Sequence, residues 1–237
     1  MVIDFHSHVL PGIDDGSASL EQSLEMLRME TMQGIETVVA TPHFYAHRDD
    51  PRRFLERRAR AAEMLRQAMA DFEGMPRLEL GAEVYFFRGI SASDILDDLT
   101  VEGHDSVLIE MPHSRWSDSM YEELKRIYTD RGLTPIIAHV DRYISPFRTH
   151  GIPERLEELP VLVQANASFF LHAATRGMAL KMLRDEKIHL LGSDCHNLDD
   201  RKPNLGPALE VIEKRLGRGI IERVNSYEDY ALSECTI

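Results

Sequence analysis

The segment Val2-Ile3-Asp4-Phe5-His6-Ser7-His8 starts with an apolar run and closes on two histidines separated by one residue. If the run is a β-strand, alternate residues share a face, so both imidazoles point to the same side. Two imidazoles on one face can bind a metal ion, although an isolated His-x-His pair more often does not. The meaning of this segment therefore depends on the residues that end the other strands.

Seven short apolar runs, including this one, alternate with helical patterns along the sequence. Most of them are continuously apolar, as expected for parallel strands that are covered on both faces. Repeated β-α units of this kind predict an α/β fold with a closed or nearly closed barrel, and we expect one domain spanning residues 1–237. The predicted strands are Val2–Phe5, Glu36–Thr41, Arg77–Ala82, Ser106–Glu110, Pro135–Ala138, Val161–Gln164 and Ile188–Leu191.

Helix signals fill the intervals between the predicted strands. A leucine pattern from residue 20 predicts a helix that ends at Gly34, and Asp50-Pro51 is typical of an N-cap followed by a proline. Further helices are predicted over Asp118–Arg131, Ile152–Leu159, Leu171–Glu186 and Leu205–Leu216. The helix that Asp50 opens carries many arginines, which we interpret as a solvated face, with docking of an acidic partner as the alternative. These are Arg52, Arg53, Arg57, Arg58, Arg60 and Arg66.

Composition limits the classes of function. At 237 residues and 43% apolar content, the chain fits one barrel-sized globular domain. A net charge of −13 argues against binding to nucleic-acid backbones, which requires clustered cations. Cys195 and Cys235 give no disulfide framework, and neither a basic leader nor a long apolar span is visible. We therefore expect a cytoplasmic protein without membrane insertion.

Metal-competent side chains stand at six of the seven predicted strand ends. They are His6, His8, His43, Glu83, Glu110, His139, Asp194 and His196. In a parallel barrel the carboxyl ends of all strands lie on one rim, so these residues converge there. Carboxylates so crowded repel one another unless cations neutralise them, and a mixture of imidazole and carboxylate suits zinc, manganese or iron. Because the set exceeds what one ion needs, we predict two or three ions.

Further residues near these strand ends bear on the substrate. Asp14-Asp15-Gly16 follows the first strand and can bring a carboxylate to the rim, or can be a plain Asx turn. Arg142 lies three residues beyond His139, and Arg201 lies five beyond His196. If both arginines lie above several metal ions, their planar guanidinium groups can each bind phosphate oxygens as a fork. The alternative is that they are ordinary surface arginines. The pattern favours phosphate-ester hydrolysis.

Taken together, these motifs resemble the PHP (polymerase and histidinol phosphatase) superfamily. Within it they are most similar to the bacterial manganese-dependent protein tyrosine phosphatases of capsule and exopolysaccharide operons. The resemblance spans essentially the whole chain. It is carried by His6-x-His8, Asp14-Asp15-Gly16, His43, Glu83, Glu110, Ala138–Tyr143 and Ser193–Leu198.

The resemblance implies a distorted seven-stranded (β/α)7 TIM-like barrel. It also implies two or three bound divalent ions, with Mn²⁺ as the first candidate and Fe or Zn as alternatives. The implied metal ligands are His6, His8, Asp15, His43, Glu83, Glu110, His139, Asp194 and His196. Glu83 is implied to bridge two ions, and Arg142 and Arg201 to bind the phosphoryl group. The implied substrate is phosphotyrosine on a bacterial tyrosine kinase that regulates capsule or exopolysaccharide synthesis. Cys195 and the loop Pro112–Ser119 depart from the family pattern.

Other functions use the same kinds of residues. A small-molecule phosphoesterase such as a histidinol-phosphate phosphatase would share the scaffold and hydrolyse alkyl phosphates. An amidohydrolase also begins with His-x-His, but that family usually has eight strands and a bridging lysine on strand four, where this chain has Glu110. A catalytically silent regulatory module has no need for so many repelling carboxylates.

The segment Cys195–Arg201 formally matches Cys-x5-Arg, the signature of thiol-dependent tyrosine phosphatases. Such a loop needs small residues whose N–H groups cradle phosphate and lower the pKa of the thiol. This one has no glycine and contains Asp199 and Asp200, which repel phosphate and raise the pKa of the thiol. We interpret Cys195 as a bystander, while Asp199 and Asp200 stay open as proton donors to the leaving group.

Overall fold

Short strands alternate with helices throughout the computed structural model, which describes residues 2–144 and 151–233. Cys235 lies outside these ranges. The strands are β1 (Ile3–Ser7), β2 (Thr37–Ala40), β3 (His43–Phe44), β4 (Arg77–Leu80), β5 (Glu83–Tyr85), β6 (Ser106–Glu110), β7 (Thr134–Ile137), β8 (Leu162–Asn166) and β9 (Leu190–Gly192). All seven predicted strands are found, although most bounds differ by one or two residues.

All the paired strands are parallel, which confirms the predicted α/β class. They form a three-stranded sheet, β1-β2-β4, and a six-stranded sheet, β3-β5-β6-β7-β8-β9. A count of seven strands in one barrel is therefore not confirmed. The second and third predicted strands stop early, and each is followed by a separate short strand, β3 or β5. Pro42 has no N–H to donate, so the ladder is interrupted there.

Hydrogen bonds also join the end of β1 to the segment after β9. The His8 N–H donates to the carbonyl of Cys195 at 2.9 Å, and the Asp194 N–H donates to the carbonyl of His6 at 2.8 Å. The register of β1 is irregular between Asp4 and Ser7, and such irregularities re-aim side chains next to active sites. The first and last segments that carry predicted ligands are thereby held side by side.

The helices cover the strands. They are α1 (Leu20–Met32), α2 (Pro51–Met69), α3 (Ile95–Asp98), α4 (Asp118–Arg131), α5 (Ile152–Leu156), α6 (Ala167–Leu171), α7 (Arg176–Arg184), α8 (Leu205–Leu216) and α9 (Arg218–Ala231). The predicted N-cap of α2 is confirmed, since the Asp50 carboxylate accepts the N–H of Arg53 at 3.0 Å. No helix in the described part of the chain is long and apolar enough to cross a bilayer.

One helix prediction was wrong. The predicted helix Leu171–Glu186 begins only at Arg176, as α7, because Leu171 ends a separate helix, α6, whose last carbonyls are captured by side chains. The Thr175 hydroxyl donates to the carbonyl of Phe169 at 2.8 Å, and Arg176 donates to those of Phe170 and Leu171. The predicted helix Ile152–Leu159 ends earlier, at Leu156, and α3, α6 and α9 were not predicted.

Apolar side chains pack on both faces of the strands. The larger core lies between strands and helices and includes Val38, Phe44, Phe54, Leu65, Ile109 and Leu183. A smaller core gathers side chains of β1, β2, β6, β7, β8 and β9, with Ala231 of α9: Ile3, Phe5, Val39, Leu108, Ile136, Leu162 and Leu190. The interior shared by the strands is thus filled, and the polar side chains are left to their carboxyl ends.

Candidate metal centre

The carboxyl ends of the strands bring the predicted ligands together in one place. His6 and His8 come from the end of β1, while His43 and Glu83 open the short strands β3 and β5. Glu110 ends β6, His139 follows β7, and Asp194 and His196 follow β9. Asp15 reaches the group from the loop after β1. We call these nine residues the rim cluster: His6, His8, Asp15, His43, Glu83, Glu110, His139, Asp194 and His196.

Glu83 occupies the middle of the rim cluster and is almost fully buried. Its Oε2 lies 3.2 Å from Nε2 of both His6 and His8, and 3.0 Å from Nδ1 of His43. Its Oε1 lies 2.7 Å from Nε2 of His139. One carboxylate is therefore shared by four imidazoles, an arrangement that suits a ligand between two cations.

The ligand atoms fall into three overlapping groups, each within 4.8 Å: His8, Asp15, His43 and His196; His6, His8 and Asp194; His43, Glu83 and Glu110. Several of these atoms are buried and have no hydrogen-bond partner, including Nδ1 of His43, Oε2 of Glu83 and Nε2 of His196. Nδ1 of His43 and Oε2 of Glu83 face each other at 3.0 Å without the geometry of a hydrogen bond. Buried imidazole and carboxylate atoms left in this way fit two or three divalent ions.

Charges in the rim cluster shift one another strongly. Burial opposes protonation of His8, but its hydrogen bonds to Asp14 and Glu83 raise the pKa to about 10. Burial also opposes ionisation of Asp194, but the charges of His6 and Arg142 lower its pKa to about 2. Burial and the charge of Glu83 raise the pKa of Glu110 to about 7. Such crowding of carboxylates calls for positive charge, which bound cations supply.

The two adjacent aspartates after β1 have different surroundings. Oδ2 of Asp14 lies 2.7 Å from Nδ1 of His8 and accepts the N–H of His43 at 3.0 Å. Asp14 therefore orients the His8 ring, as a carboxylate behind a metal-bound histidine does. The Asp15 side chain is 70% exposed, and its Oδ1 lies 3.5 Å from His43 and 3.6 Å from His196. Asp15 is the one that faces the other ligand atoms.

Gly16 allows this turn to fold against β1. A Cβ at this position would lie 2.4 Å from the carbonyl oxygen of His8 and 2.9 Å from the Asp14 carboxylate. Glycine is required by the close approach, which explains the Asp-Asp-Gly sequence.

Two ligand-bearing positions have a left-handed backbone. His139 has φ 32° and Asp194 has φ 53°, a conformation that costs non-glycine residues about 1–3 kcal/mol. Each is held by a hydrogen bond from its own N–H. His139 donates to Oε1 of Gln164 at 2.6 Å, and Asp194 donates to the carbonyl of His6 at 2.8 Å. Two of the three described non-glycine residues with a positive φ are therefore members of the rim cluster, the third being Glu186.

The sixth predicted strand, which supplied no site residue in the sequence analysis, contributes two amides. Oε1 of Gln164 also lies 3.3 Å from Nδ1 of His6, so one side chain contacts two ligand residues. The Asn166 amide donates to Oδ2 of Asp194 at 2.9 Å. The signal was present, because Gln164 and Asn166 end β8 where other strands carry ligands.

The predicted phosphate-binding arginines both reach Asp194. Nη2 of Arg201 lies 2.7 Å from Oδ1 of Asp194, and Nη2 of Arg142 contacts Oδ2. Their side chains are 36% and 31% exposed, so both guanidinium groups stand between the rim cluster and solvent. The two predicted arginines therefore lie next to the rim cluster and remain accessible from solvent.

The loop Pro112–Ser119 forms part of the adjoining wall. Trp116 is buried, donates to the carbonyl of Pro112 at 2.9 Å, and stacks edge-on with Tyr143 at 5.1 Å between ring centroids. The Tyr143 ring lies 5.6 Å from that of His139. Pro112, Ser117 and Ser119 line a cleft of ≈ 640 Å³ beside the strand ends.

Asp4, Glu30 and Cys195 form a second group of potential ligands, which we call the interior cluster. All three are fully buried. Sγ of Cys195 lies 4.0 Å from Oε1 of Glu30, and burial together with the Glu30 and Asp4 carboxylates raises the thiol pKa well above its ordinary value. Such a thiol is a poor nucleophile, consistent with the interpretation of Cys195 as a bystander. Asp4 accepts the N–H groups of His6 and Ser193 at 3.1 and 2.8 Å, so it supports the rim from beneath.

Comparison with known proteins identifies the family. Residues 2–231 match the family model described as capsular polysaccharide synthesis, CpsB/CapC. The chain belongs to the CpsB/CapC family. This confirms the resemblance drawn from the strand-end motifs.

The relatives of this CpsB/CapC chain match it over almost its whole length. The tyrosine-protein phosphatase YwqE of Bacillus subtilis is 28% identical over 91% of this chain and 85% of its own. The tyrosine-protein phosphatase CpsB of Streptococcus agalactiae is 28% identical, and the match covers 94% of this chain and 93% of that relative. A solved structure described as that of YwqE from Bacillus subtilis and CpsB from Streptococcus pneumoniae, metal-dependent tyrosine phosphatases, superposes with a TM-score of 0.85. The superposition covers 100% of this chain and 96% of the solved chain at 22% sequence identity, so the fold is shared.

Proposed function

We propose that this CpsB/CapC protein is a metal-dependent protein-tyrosine phosphatase. Its substrate in this proposal is phosphotyrosine on a bacterial tyrosine kinase that regulates capsule or exopolysaccharide synthesis. The observation that carries the proposal is one carboxylate, Glu83, shared by four imidazoles beneath two partly exposed arginines. Relatives with 28% identity over nearly the whole chain are tyrosine-protein phosphatases, which supports the same activity here.

The residues of the rim cluster are the proposed ligands of two or three divalent ions, with Mn²⁺ as the first candidate. Glu83 is proposed to contribute to two of them, because its oxygens face different histidines. When bound, such ions lower the pKa of water, so that a strong nucleophile exists at neutral pH. Asp14, Gln164 and Asn166 hold the ligands in place from behind.

Arg142 and Arg201 are proposed to bind the non-bridging oxygens of the phosphoryl group. Planar guanidinium forks match phosphate geometry, and their positive charge neutralises these oxygens in the transition state, the main task in phosphoryl transfer. A tyrosine leaving group has a pKa of roughly 10, so it needs less protonation than an alkyl alcohol. A hydrogen bond from Asn197 lowers the pKa of Asp200, which favours its ionised form and makes it a weaker candidate for the proton donor.

We also infer that the two sheets act as one distorted seven-stranded barrel in a single domain. Counting β2 with β3 and β4 with β5 as interrupted strands gives seven units in the order that the chain follows. Hydrogen bonds between β1 and the segment after β9 support closure.

The direct test compares phosphorylated substrates on the manganese-loaded protein. We expect the highest kcat/KM on a phosphotyrosine peptide, and a much lower value on an alkyl phosphate such as histidinol phosphate. An alkyl phosphate hydrolysed as well as or better than the peptide would instead indicate a small-molecule phosphoesterase.

A variant pair tests the phosphate fork on the same peptide. Arg142→Lys keeps the charge but loses the fork, so we expect kcat/KM to fall on the order of 10-fold. Arg215→Lys is the matched control, because Arg215 is exposed on α8 and makes no ion pair with any described residue. Equal activity of both variants would show that Arg142 does not bind the phosphate as a fork.

A further inference from the structure

Exposed arginines are concentrated in the loop before α2 and along the first half of this helix. Arg53, Arg57 and Arg60 follow one another at helical spacing on a single face of the helix, and Arg48 lies in the loop before it. We call these four residues the arginine surface. Among the described residues none of them has an ion-pair partner, whereas Arg58 and Arg66 on the same helix are tied to backbone carbonyls.

The arginine surface opens directly onto the metal centre. Arg48 and Arg57 line a cleft of ≈ 340 Å³ together with Asp15 and His43 of the rim cluster. The Arg48 guanidinium stacks over Tyr45 at 4.3 Å, and the Tyr45 ring lies 5.3 Å from that of His43. A bound chain with its phosphate at the rim cluster can therefore extend along this cleft past Arg48 and Arg57.

The acidic side chains of this cleft leave the arginines available. Asp14 is engaged by His8, and Oδ2 of Asp49 accepts the N–H of Tyr45 at 2.8 Å. Asp15 points towards His43 and His196. Each of these carboxylates therefore has a partner other than Arg48 or Arg57, and neither arginine forms an ion pair with a described residue inside the cleft.

We propose that the arginine surface docks aspartate or glutamate residues that flank the phosphotyrosine of the substrate. This inference rests on the proposed function and names the class of peptide that it acts on. The whole chain carries a net charge of −13, so attraction of an acidic peptide requires a local cluster of cationic side chains. Guanidinium forks bind carboxylates in pairs of hydrogen bonds, and charged rims of this kind select partners and speed their association. A peptide fits better than a membrane, because the patch is small and continuous with the cleft.

Binding is tested first without hydrolysis. A labelled acidic peptide with phenylalanine in place of phosphotyrosine is titrated with the manganese-loaded full chain, and fluorescence polarisation gives Kd. For Arg53→Glu/Arg57→Glu we expect Kd to rise about 10-fold, and we expect the wild-type affinity to weaken with added salt. The matched control is Lys214→Glu/Arg215→Glu, which makes the same charge change at exposed positions on α8. It should leave Kd unchanged.

Hydrolysis is then compared on acidic and uncharged phosphotyrosine peptides. We expect wild type to prefer the acidic peptide, and the ratio of the two kcat/KM values to fall about 10-fold in Arg53→Glu/Arg57→Glu alone. The docking inference is wrong, and the proposed function stands, if wild type hydrolyses the uncharged peptide without preferring the acidic one. The same conclusion follows if the peptides are hydrolysed but Arg53→Glu/Arg57→Glu leaves Kd unchanged. If neither peptide is hydrolysed, the proposed function fails and Kd still decides the docking. Capture of anionic vesicles without any affinity for the acidic peptide would overturn the inference in favour of a membrane surface.

Discussion

Glu83 in the rim cluster and Glu30 in the interior cluster are both buried, yet their surroundings are opposite. Four imidazoles surround Glu83, and although burial opposes ionisation, the charge of His6 and the hydrogen bond with His139 lower its pKa well below the ordinary value. Glu30 faces another carboxylate, and burial together with the charge of Asp4 raises its pKa well above the ordinary value. The same burial is therefore accompanied by a lowered pKa at Glu83 and a raised pKa at Glu30.

This difference shows what separates a metal centre from a scaffold made of the same residue types. The rim cluster combines imidazoles with carboxylates at the open ends of the strands, where ions and substrate can reach them. The interior cluster has no imidazole and no exposed side chain. Its Asp4 instead accepts backbone N–H groups next to two ligands, so its role is to position the rim.

The largest effect is expected from removing the shared carboxylate. Glu83→Gln keeps the size of the side chain but cannot supply a charge to four histidines, so we expect kcat/KM to fall by at least about 100-fold with loss of bound metal. Metal content by elemental analysis and activity on p-nitrophenyl phosphate measure this. Glu30→Gln, the same substitution in the interior cluster, should keep the metal content and the activity of wild type. A Glu83→Gln protein with full metal content and activity would contradict the comparison.

A smaller loss is expected when the support behind the ligands is removed. Gln164→Ala leaves the His139 N–H and the His6 ring without their shared partner, so we expect about a 10-fold loss in activity or metal affinity. Gln67→Ala, at an exposed position on α2, is the control and should behave as wild type. Equal behaviour of the two variants would mean that β8 does not orient the centre.

The smallest effect concerns stability rather than activity. The pKa of Glu30 is higher in the folded chain than in the unfolded one. At a pH between these two pKa values, Glu30 is therefore protonated in the folded chain and ionised in the unfolded chain. Stability contributed by this group therefore falls as pH rises through that window. Glu30→Gln cannot ionise, so we expect its Tm to exceed that of wild type by about 2 °C or more at pH 8, and by less at pH 5. An advantage that is largest at low pH would contradict the sign.

Much of this arrangement follows from the sequence, because a parallel fold sends every strand end to the same rim. His6, His43 and Asp194 are distant in sequence, yet each follows an apolar run that could only be a strand. The short strands β3 and β5 were missed because two or three residues carry no periodicity. Gln164 and Asn166 were missed because uncharged amides at a strand end do not stand out as ligands.

The roles of Asp14 and Asp15 could not be separated from the sequence alone. The two residues are adjacent, and only the turn geometry at Gly16 decides which carboxylate meets His8 and which faces outward. Likewise, the arginine pattern of α2 does not reveal which side chains are tied to carbonyls and which are free to meet a partner.

The central claim is that the rim cluster, and not the Cys195 thiol, performs the hydrolysis. The most direct measurement is activity on p-nitrophenyl phosphate and on a phosphotyrosine peptide after chelation, and again after manganese is added back. Wild type, Cys195→Ser and His6→Ala are compared. We predict that chelation abolishes activity, that manganese restores it to wild type and Cys195→Ser, and that His6→Ala stays inactive. A chelated protein that remains active, together with an inactive Cys195→Ser variant, would contradict the metal mechanism and identify the thiol as the nucleophile.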